Sequence, residues 1–374
     1  MAHLDDPRPA AAGARWIVIR EGRHRRWGGE LRRRHIFGRL AERTAATIIE
    51  DGWYPGLLRR AVLGRPGGLL GPLADRLPRR GPKPRFAASE KLRDRLLDAA
   101  VALTDPVAVA IYDDVTAQTK ALGLPVDPAW LAELAHRQRR NVATFRWLVA
   151  PTRSFAELAG LEPARLIVGG NGTDTSLVTP GPWPDEPALG IVSAAAPGRG
   201  LELLVRATRL AREQLPELRL RMWLVAMSEE TEGYLAELRA SVAGEPWVEI
   251  GTAPYEGLGA ALATATALCI AHPANEYMDV ALPVKLFDSL AAGRPLIVTP
   301  RRETAAIVER FGVGLVASGD AAEDFAGAIV TLLQDPARAH ALGIRAREVA
   351  EQEFDWRVVG ERIAQEVLRR EGLA

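Results

Sequence analysis

The sequence predicts an α/β protein: two parallel sheets, each covered by helices, in two domains of similar size. Three observations predict it. Apolar runs of strand length alternate with amphipathic stretches of helical period along the whole chain. The 374 residues exceed one compact core, since a domain takes ~150 residues. Between the two alternations lies Val178-Thr-Pro-Gly-Pro-Trp-Pro-Asp-Glu-Pro187, whose prolines make it the strongest linker signal in the chain.

Taken in order, residues 14–20 read as a strand, then a loop and a helix to about residue 43, then a strand at 45–50. Residues 64–88 are rich in Gly, Pro and Arg and read as irregular. Helices follow at 91–103 and 128–145, with strands at 107–112 and 147–150 and a last helix and strand at 152–158 and 165–168. The linker ends a first domain at 1–183. In the second, 184–355, strands at 189–193, 218–225, 248–250, 267–271 and 296–299 alternate with helices at 201–213, 230–240, 258–265, 284–292, 303–311 and 321–333. In the final segment, 356–374, Trp356, Val359, Ile363 and Val367 form one helical stripe.

Composition narrows the function classes. With 48% hydrophobic and 25% charged residues, disorder is excluded, and no apolar run reaches the ~18–20 residues of a membrane span. Met1-Ala-His-Leu-Asp-Asp-Pro7 lacks the apolar region of a secretory signal, so a cytoplasmic protein is expected. The single Cys269, in an apolar run, excludes a disulfide framework or a Cys-based zinc cluster. A net charge of +1 hides an asymmetry: residues 1–183 carry about 29 Lys and Arg against about 19 Asp and Glu. Arginine is so common that a single one says little. Lysine is rare, and Lys285 is the only one in the second half.

In open parallel sheets, ligands bind at the carboxyl ends of strands. Two loops of the second half fit. In Gly190-Ile-Val-Ser193-Ala-Ala-Ala-Pro-Gly198-Arg199-Gly200, two glycines flank an arginine where a helix begins. That is a diphosphate seat, or a tight turn with a solvated arginine. After the strand ending near Ala271, a polar loop leads to Pro283, a helix-start residue. In the helix that follows, Leu286, Phe287, Leu290 and Ala291 face a core. Lys285 and Asp288 share the other side, as an anion site or as a surface ion pair. Lysine opposes the dipole of a first turn, which a bound anion would explain.

In the first half, Gly28 and Gly29 at a helix start suit the close approach of a phosphate. Asp113 and Asp114 end a strand, as a general base or an orienting group, or as a helix N-cap or loop carboxylates. The histidines show no metal-ligand spacing; His272 could reach the cleft or pack as a strand-end residue, and packing is the expected role. The arginines from Arg20 to Arg39 form the densest charge. Nucleic acid is not the expected partner, because only Trp27 and Phe37 intersperse them. An anionic membrane surface, a phosphate-bearing acceptor or plain solvation remain.

The ordered runs Gly190 to Gly200, Trp247-Val-Glu-Ile-Gly251, Leu282-Pro-Val-Lys-Leu-Phe-Asp-Ser-Leu-Ala-Ala-Gly-Arg-Pro-Leu-Ile-Val-Thr299, Gly312-Val-Gly-Leu-Val316 and Phe354-Asp-Trp356 resemble the donor domain of group 1, family four-like glycosyltransferases. Asn171-Gly-Thr-Asp174 and Ala150-Pro-Thr-Arg-Ser154 resemble the end of their first domain. The resemblance implies the GT-B fold: two facing Rossmann-like domains with a cleft between them, and a C-terminal helix crossing back to the first. It implies a hexosyltransferase, retaining and metal-independent, that takes a nucleoside diphosphate sugar as substrate and needs no cofactor. The acceptor would be a glycan, a glycolipid (plausibly of the cell envelope) or a small molecule. A sugar-nucleotide epimerase and a non-catalytic sugar-nucleotide-binding scaffold are the alternatives. In the family pattern, Ser193 stands where an arginine usually lies and Arg199 where a lysine does. Asp288 aligns with the acid that holds the ribose, and Val280 replaces the first acid, which leaves Glu276 or Asp279 for the sugar. Backbone N–H groups of Val284 and Lys285 would meet the distal phosphate, and the Lys285 side chain would replace the missing arginine. Gly198, Gly200 and Gly251 complete the donor site, and the Arg20–Arg39 face would hold the enzyme at the inner face of the plasma membrane.

Overall fold

A computed structural model of the chain describes residues 15–20, 32, 35–50, 82–89, 92, 94–123 and 125–373. The chain divides into two compact units. One takes in residues 1–114, 128–170 and 356–374, the other 115–127 and 171–355.

The first unit holds a parallel sheet in the order β2-β1-β3-β4-β5-β6. Its strands are β1 (Trp16–Arg20), β2 (Thr47–Glu50), β3 (Arg85–Ser89), β4 (Asp105–Ala110), β5 (Trp147–Ala150) and β6 (Leu166–Val168). β3 corrects the irregular reading at residues 85–88; residues 64–81 of that stretch lie outside the described residues. It pairs with both β1 and β4, and Phe86, Ala87 and Ala88 are fully buried. Alanine is a poor strand former in isolation, and the flanking prolines and arginines masked a strand whose identity comes from its central position. The helix Trp356–Arg370 buries the expected stripe of Trp356, Val359, Ile363 and Val367 in this unit's core. Its Gly360 lies so close to helix Gly38–Arg43 that a Cβ there would stand 3.3 Å from the Arg39 Cβ.

Glu371, just beyond that helix, is buried. It accepts from Arg146 Nη1 (2.6 Å), Trp147 Nε1 (2.8 Å) and Arg85 Nε (3.2 Å). Burial alone would raise its pKa, but these donors outweigh it and hold the carboxylate below its usual range. A depressed carboxylate stabilises the fold above its unfolded pKa, and that contribution disappears as pH falls through the folded value. Glu371→Gln is therefore expected to cost the first unit about 1–3 kcal/mol near neutrality. The gap to wild type should close as urea titrations move to acid pH; a gap constant from pH 7 to 3 would contradict the ionic role.

The second unit's sheet runs β12-β11-β10-β7-β8-β9, again parallel throughout. Its strands are β7 (Ala188–Ala194), β8 (Arg219–Val225), β9 (Val248–Gly251), β10 (Ala267–Ile270), β11 (Leu296–Val298) and β12 (Gly314–Val316). The chain leaves β7 toward β8 and β9 on one side, then returns to β10 on the other. The strand order thus reverses between β7 and β10, where such sheets open a crevice at their carboxyl ends.

Three helices of this unit went unread in the sequence. Val115–Leu122 packs on the turn Pro197–Arg199 and on Glu276–Val280, which itself occupies the polar loop. Pro336–Val349 adds Ala346 and Val349 to the core. The proline-rich linker is also held within this unit. Arg294 binds the carbonyls of Gly181 (3.2 Å) and Pro182 (2.6 Å), and Arg347 Nη1 that of Val178 (2.8 Å). Upstream, Asn171 Nδ2 donates to Leu282 O (2.9 Å) and Thr173 N to Phe354 O (2.9 Å). These bonds place the change of unit at residue 170, ahead of the prolines.

Candidate functional site

β7 delivers Ser193 to the crevice, and the chain then makes the single turn Pro197–Arg199 before helix Leu201–Ala211. Two glycines set this loop. Gly200 has φ +72°, and a Cβ there would lie 1.6 Å from the carbonyl oxygen of Ala271, at the end of β10. A Cβ on Gly198 would lie 2.1 Å from the carbonyl oxygen of Ala121, in helix Val115–Leu122. Their glycine character is thus explained by close backbone packing, which carries Arg199 to the end of β10. Gly200→Ala combines a left-handed φ, about 1–2 kcal/mol for an L residue, with a backbone collision. It is expected to lower Tm by several degrees. An unchanged Tm would show that the loop is not set this way.

β10 leads through Ala271 to His272, which is fully buried. Thr299 Oγ1 donates to the His272 carbonyl (2.8 Å), fixing the backbone. Both ring nitrogens lack a hydrogen-bond partner among the described residues. Burial, then the charges of Lys285, Arg199 and Arg301, push the imidazole pKa well below its ordinary value. Asn275 next caps helix Glu276–Val280 by accepting from Met278 N (2.8 Å). The helix buries Tyr277, Met278 and Val280 and leaves Glu276 exposed. Asp279 pairs with the buried Arg301 (3.0 Å), which also holds Asp320.

Helix Val284–Ala291 follows. Pro283 is its N-cap and no side chain receives its first N–H groups. Leu286, Phe287, Leu290 and Ala291 are buried in the core, as the helical period predicts. Lys285 is half-buried, and its Nζ donates to Ser193 Oγ (3.4 Å). Loss of hydration, then the charge of Arg199, pushes its pKa well below that of free lysine. No carboxylate lies within ion-pairing distance of it among the described residues. The surface pair with Asp288 does not form. Asp288 is buried and accepts from Thr173 Oγ1 (2.7 Å). Burial raises its carboxyl to about 7, with Thr173 opposing and Asp174 adding. The crevice thus gathers Ser193, Arg199, His272, Lys285 and an uncapped helix N-terminus, a set suited to a polyanion. Gly251, at the end of edge strand β9, is exposed, with open space where a Cβ would stand.

In the first unit, Asp113 and Asp114 follow β4. Asp113 Oδ2 pairs with Arg32 Nη2 (2.9 Å), and Gln138 Nε2 donates to the Asp113 carbonyl (2.7 Å). Arg32 is buried with its guanidinium 4.6 Å from the Tyr112 ring centre. An arginine-paired carboxylate is a weak proton acceptor and a good orienting group. Gly28, Gly29 and most of Arg20–Arg39 lie outside the described residues; Arg39 pairs with Glu361 (2.8 Å) and Glu42 (2.7 Å). Among the described residues no three His, Cys, Asp or Glu gather as a metal site, and no helix is long and apolar enough to cross a membrane.

The sequence reading missed Thr173 as the partner of Asp288 and Gln118, which donates to the Tyr277 hydroxyl (3.0 Å). Asn171-Gly-Thr-Asp174 marked the first of these positions without revealing its contact.

Comparisons with known proteins bear on the fold and on the likeness of the second unit. Residues 186–335 match the family model described as glycosyl transferases group 1. The D-inositol 3-phosphate glycosyltransferase of Kribbella flavida is 25% identical over 221 residues, which are 54% of this chain and 51% of that protein. The chain thus spans about half the length of that relative. Two solved structures superpose over nearly all of the chain. Sucrose-phosphate synthase of Thermosynechococcus elongatus has a TM-score of 0.68 at 15% identity, covering 96% of this chain and 100% of that one. Anabaena HepE, in complex with UDP and glucose, has a TM-score of 0.65 at 17% identity, covering 94% and 98%. The chain has the GT-B fold, and its residues 186–335 carry the likeness to the group 1 glycosyltransferases.

Proposed function

We propose that this chain is a glycosyltransferase that moves a hexose from a nucleoside diphosphate sugar to an acceptor. The observation that carries the reading is the crevice between β7 and β10. There, half-buried Lys285 stands beside Ser193 and Arg199 at a helix start with no side-chain cap and has no carboxylate partner among the described residues. A diphosphate supplies the missing negative charge. The same groups then stabilise the charge that develops on the leaving phosphate when the sugar bond breaks. In this reading the cations do the work of a metal, Asp288 receives the ribose hydroxyls, and the reaction proceeds with retention. The relative whose name includes inositol phosphate and the solved structure holding UDP and glucose support a phosphorylated donor and a hydroxyl acceptor. A screen of UDP, GDP, ADP and TDP sugars for hydrolysis and transfer tests it. Donor turnover to a glycoside is the expected result; an epimerised nucleotide sugar, or binding without turnover over any acceptor panel, would overturn it.

The acceptor reading is that of a cell-envelope glycan or glycolipid, on the cytoplasmic side of the plasma membrane, with Arg20–Arg39 touching anionic lipid. Each basic side chain near such a surface contributes ~1 kcal/mol. Flotation with anionic vesicles should show binding at low salt that weakens as salt rises; binding absent, or indifferent to salt, removes the membrane from the reading.

A further inference from the structure

We infer that His272 is a further donor-contacting residue, whose imidazole N–H hydrogen-bonds a phosphate oxygen of the bound nucleoside diphosphate beside Lys285 and Arg199. The inference rests on the proposed function and extends it to a residue for which the sequence favours packing over a place in the cleft. A neutral imidazole has one donor and one acceptor nitrogen. Both are buried here without a partner among the described residues, although the backbone carbonyl of the same residue is bonded to Thr299. Buried polar groups left unpaired are costly and uncommon.

The surroundings say what the partner is. His272 lies two residues beyond the central strand β10, where the strand order reverses, and the preceding residue, Ala271, abuts the Gly200 backbone. That contact brings the Arg199 turn alongside. The charges acting on the ring are Lys285, Arg199 and Arg301, all positive. Arg301 is already balanced by Asp279 and Asp320, whereas Lys285 has no carboxylate partner among the described residues. A cation is repelled from this position, and an apolar group would leave the nitrogens unmet. An anion accepts from the imidazole and from Lys285 at once. Charge-assisted bonds of this kind are the short, strong ones.

The test needs the intact chain and four probes: UDP, GDP, ADP and pyrophosphate. Long-range ¹H–¹⁵N spectra of the histidine rings, with His272 identified by its loss in H272N, are recorded as each probe is added. Calorimetry then compares wild type with His272→Asn, which keeps an N–H, and His272→Leu, which keeps only the bulk. The expected result is a shift of one His272 ring nitrogen on nucleotide binding and about a tenfold weaker Kd in H272L, with H272N between. If the ring signals stay fixed, the inference is overturned, even where H272L binds more weakly, because that pattern marks a packing role. It is equally overturned if both variants bind as wild type does. If wild type binds none of the four probes, the donor site itself fails and the inference falls with it.

Discussion

Lys285→Ala is expected to lower kcat/KM for the nucleotide-sugar donor by about 10²–10³-fold, the loss seen when one preorganised charge-stabilising group is removed from a reacting centre. The direction of its effect on stability is opposite. Lys285 is half-buried beside a second cation, its pKa driven down by lost hydration and by Arg199, with only the Ser193 hydroxyl as partner among the described residues. Deleting such a charge relieves desolvation and repulsion, so Tm should hold or rise while activity collapses. Arg199→Ala should act in the same direction on turnover. The double variant should lose less than the product of the single losses, because in the proposed function both side chains serve one diphosphate. Lys285→Arg keeps the charge but presents a flat fork instead of a compact ammonium, so partial recovery is expected. Donor kinetics beside calorimetric melting make the check. Turnover unchanged in both single variants, or a fall in Tm parallel to the fall in rate, would remove these residues from the site.

How much of this was legible in the sequence depends on how local each signal is. The helix Val284–Ala291 was legible because Leu286, Phe287, Leu290 and Ala291 repeat at helical spacing, and their burial follows from that period alone. The same holds for the stripe of the C-terminal helix. Helix Val115–Leu122 was not legible. Its Val-Thr-Ala-Gln-Thr-Lys-Ala-Leu carries no apolar stripe, and what defines it is contact with residues far along the chain, such as Tyr277. β3 failed for a related reason: its alanines become strand residues only between β1 and β4. In the site, the residue types and the uncapped helix start were readable, since lysine in a first turn is locally unfavourable. The partner of Asp288 was not, because Thr173 lies 115 residues away and no local pattern links them. Nor was the unpartnered state of His272, which is a property of packing.

Arg294 shows the opposite failure, an arginine discounted because arginines are abundant, and it supports the largest expected effect on stability. It is 2% exposed. Its Nε donates to Ala265 O (2.7 Å), and its Nη2 to Ala263 O (2.7 Å), Pro182 O (2.6 Å) and Gly181 O (3.2 Å). The guanidinium carbon stands 4.7 Å from the Trp183 ring centre. Burial lowers its pKa to about 10, so it stays charged at neutral pH, and carbonyl dipoles take the place of a carboxylate. One side chain therefore satisfies the turn after helix Leu258–Ala263 and pins the proline-rich segment, whose prolines supply no N–H of their own. Arg294→Met keeps much of the volume but leaves the buried carbonyls of Ala263 and Ala265 unmet and frees those of Gly181 and Pro182, at an expected cost of about 3–5 kcal/mol. Arg294→Lys should recover little, since one ammonium cannot span carbonyls that a planar fork reaches together. Urea unfolding gives the loss, and limited proteolysis gives its location. Cleavage within residues 178–187 should rise sharply in both variants while the first unit's fragments persist. If Arg294→Met unfolds at the wild-type urea concentration, or is cut no faster in that segment, Arg294 does not hold the chain there.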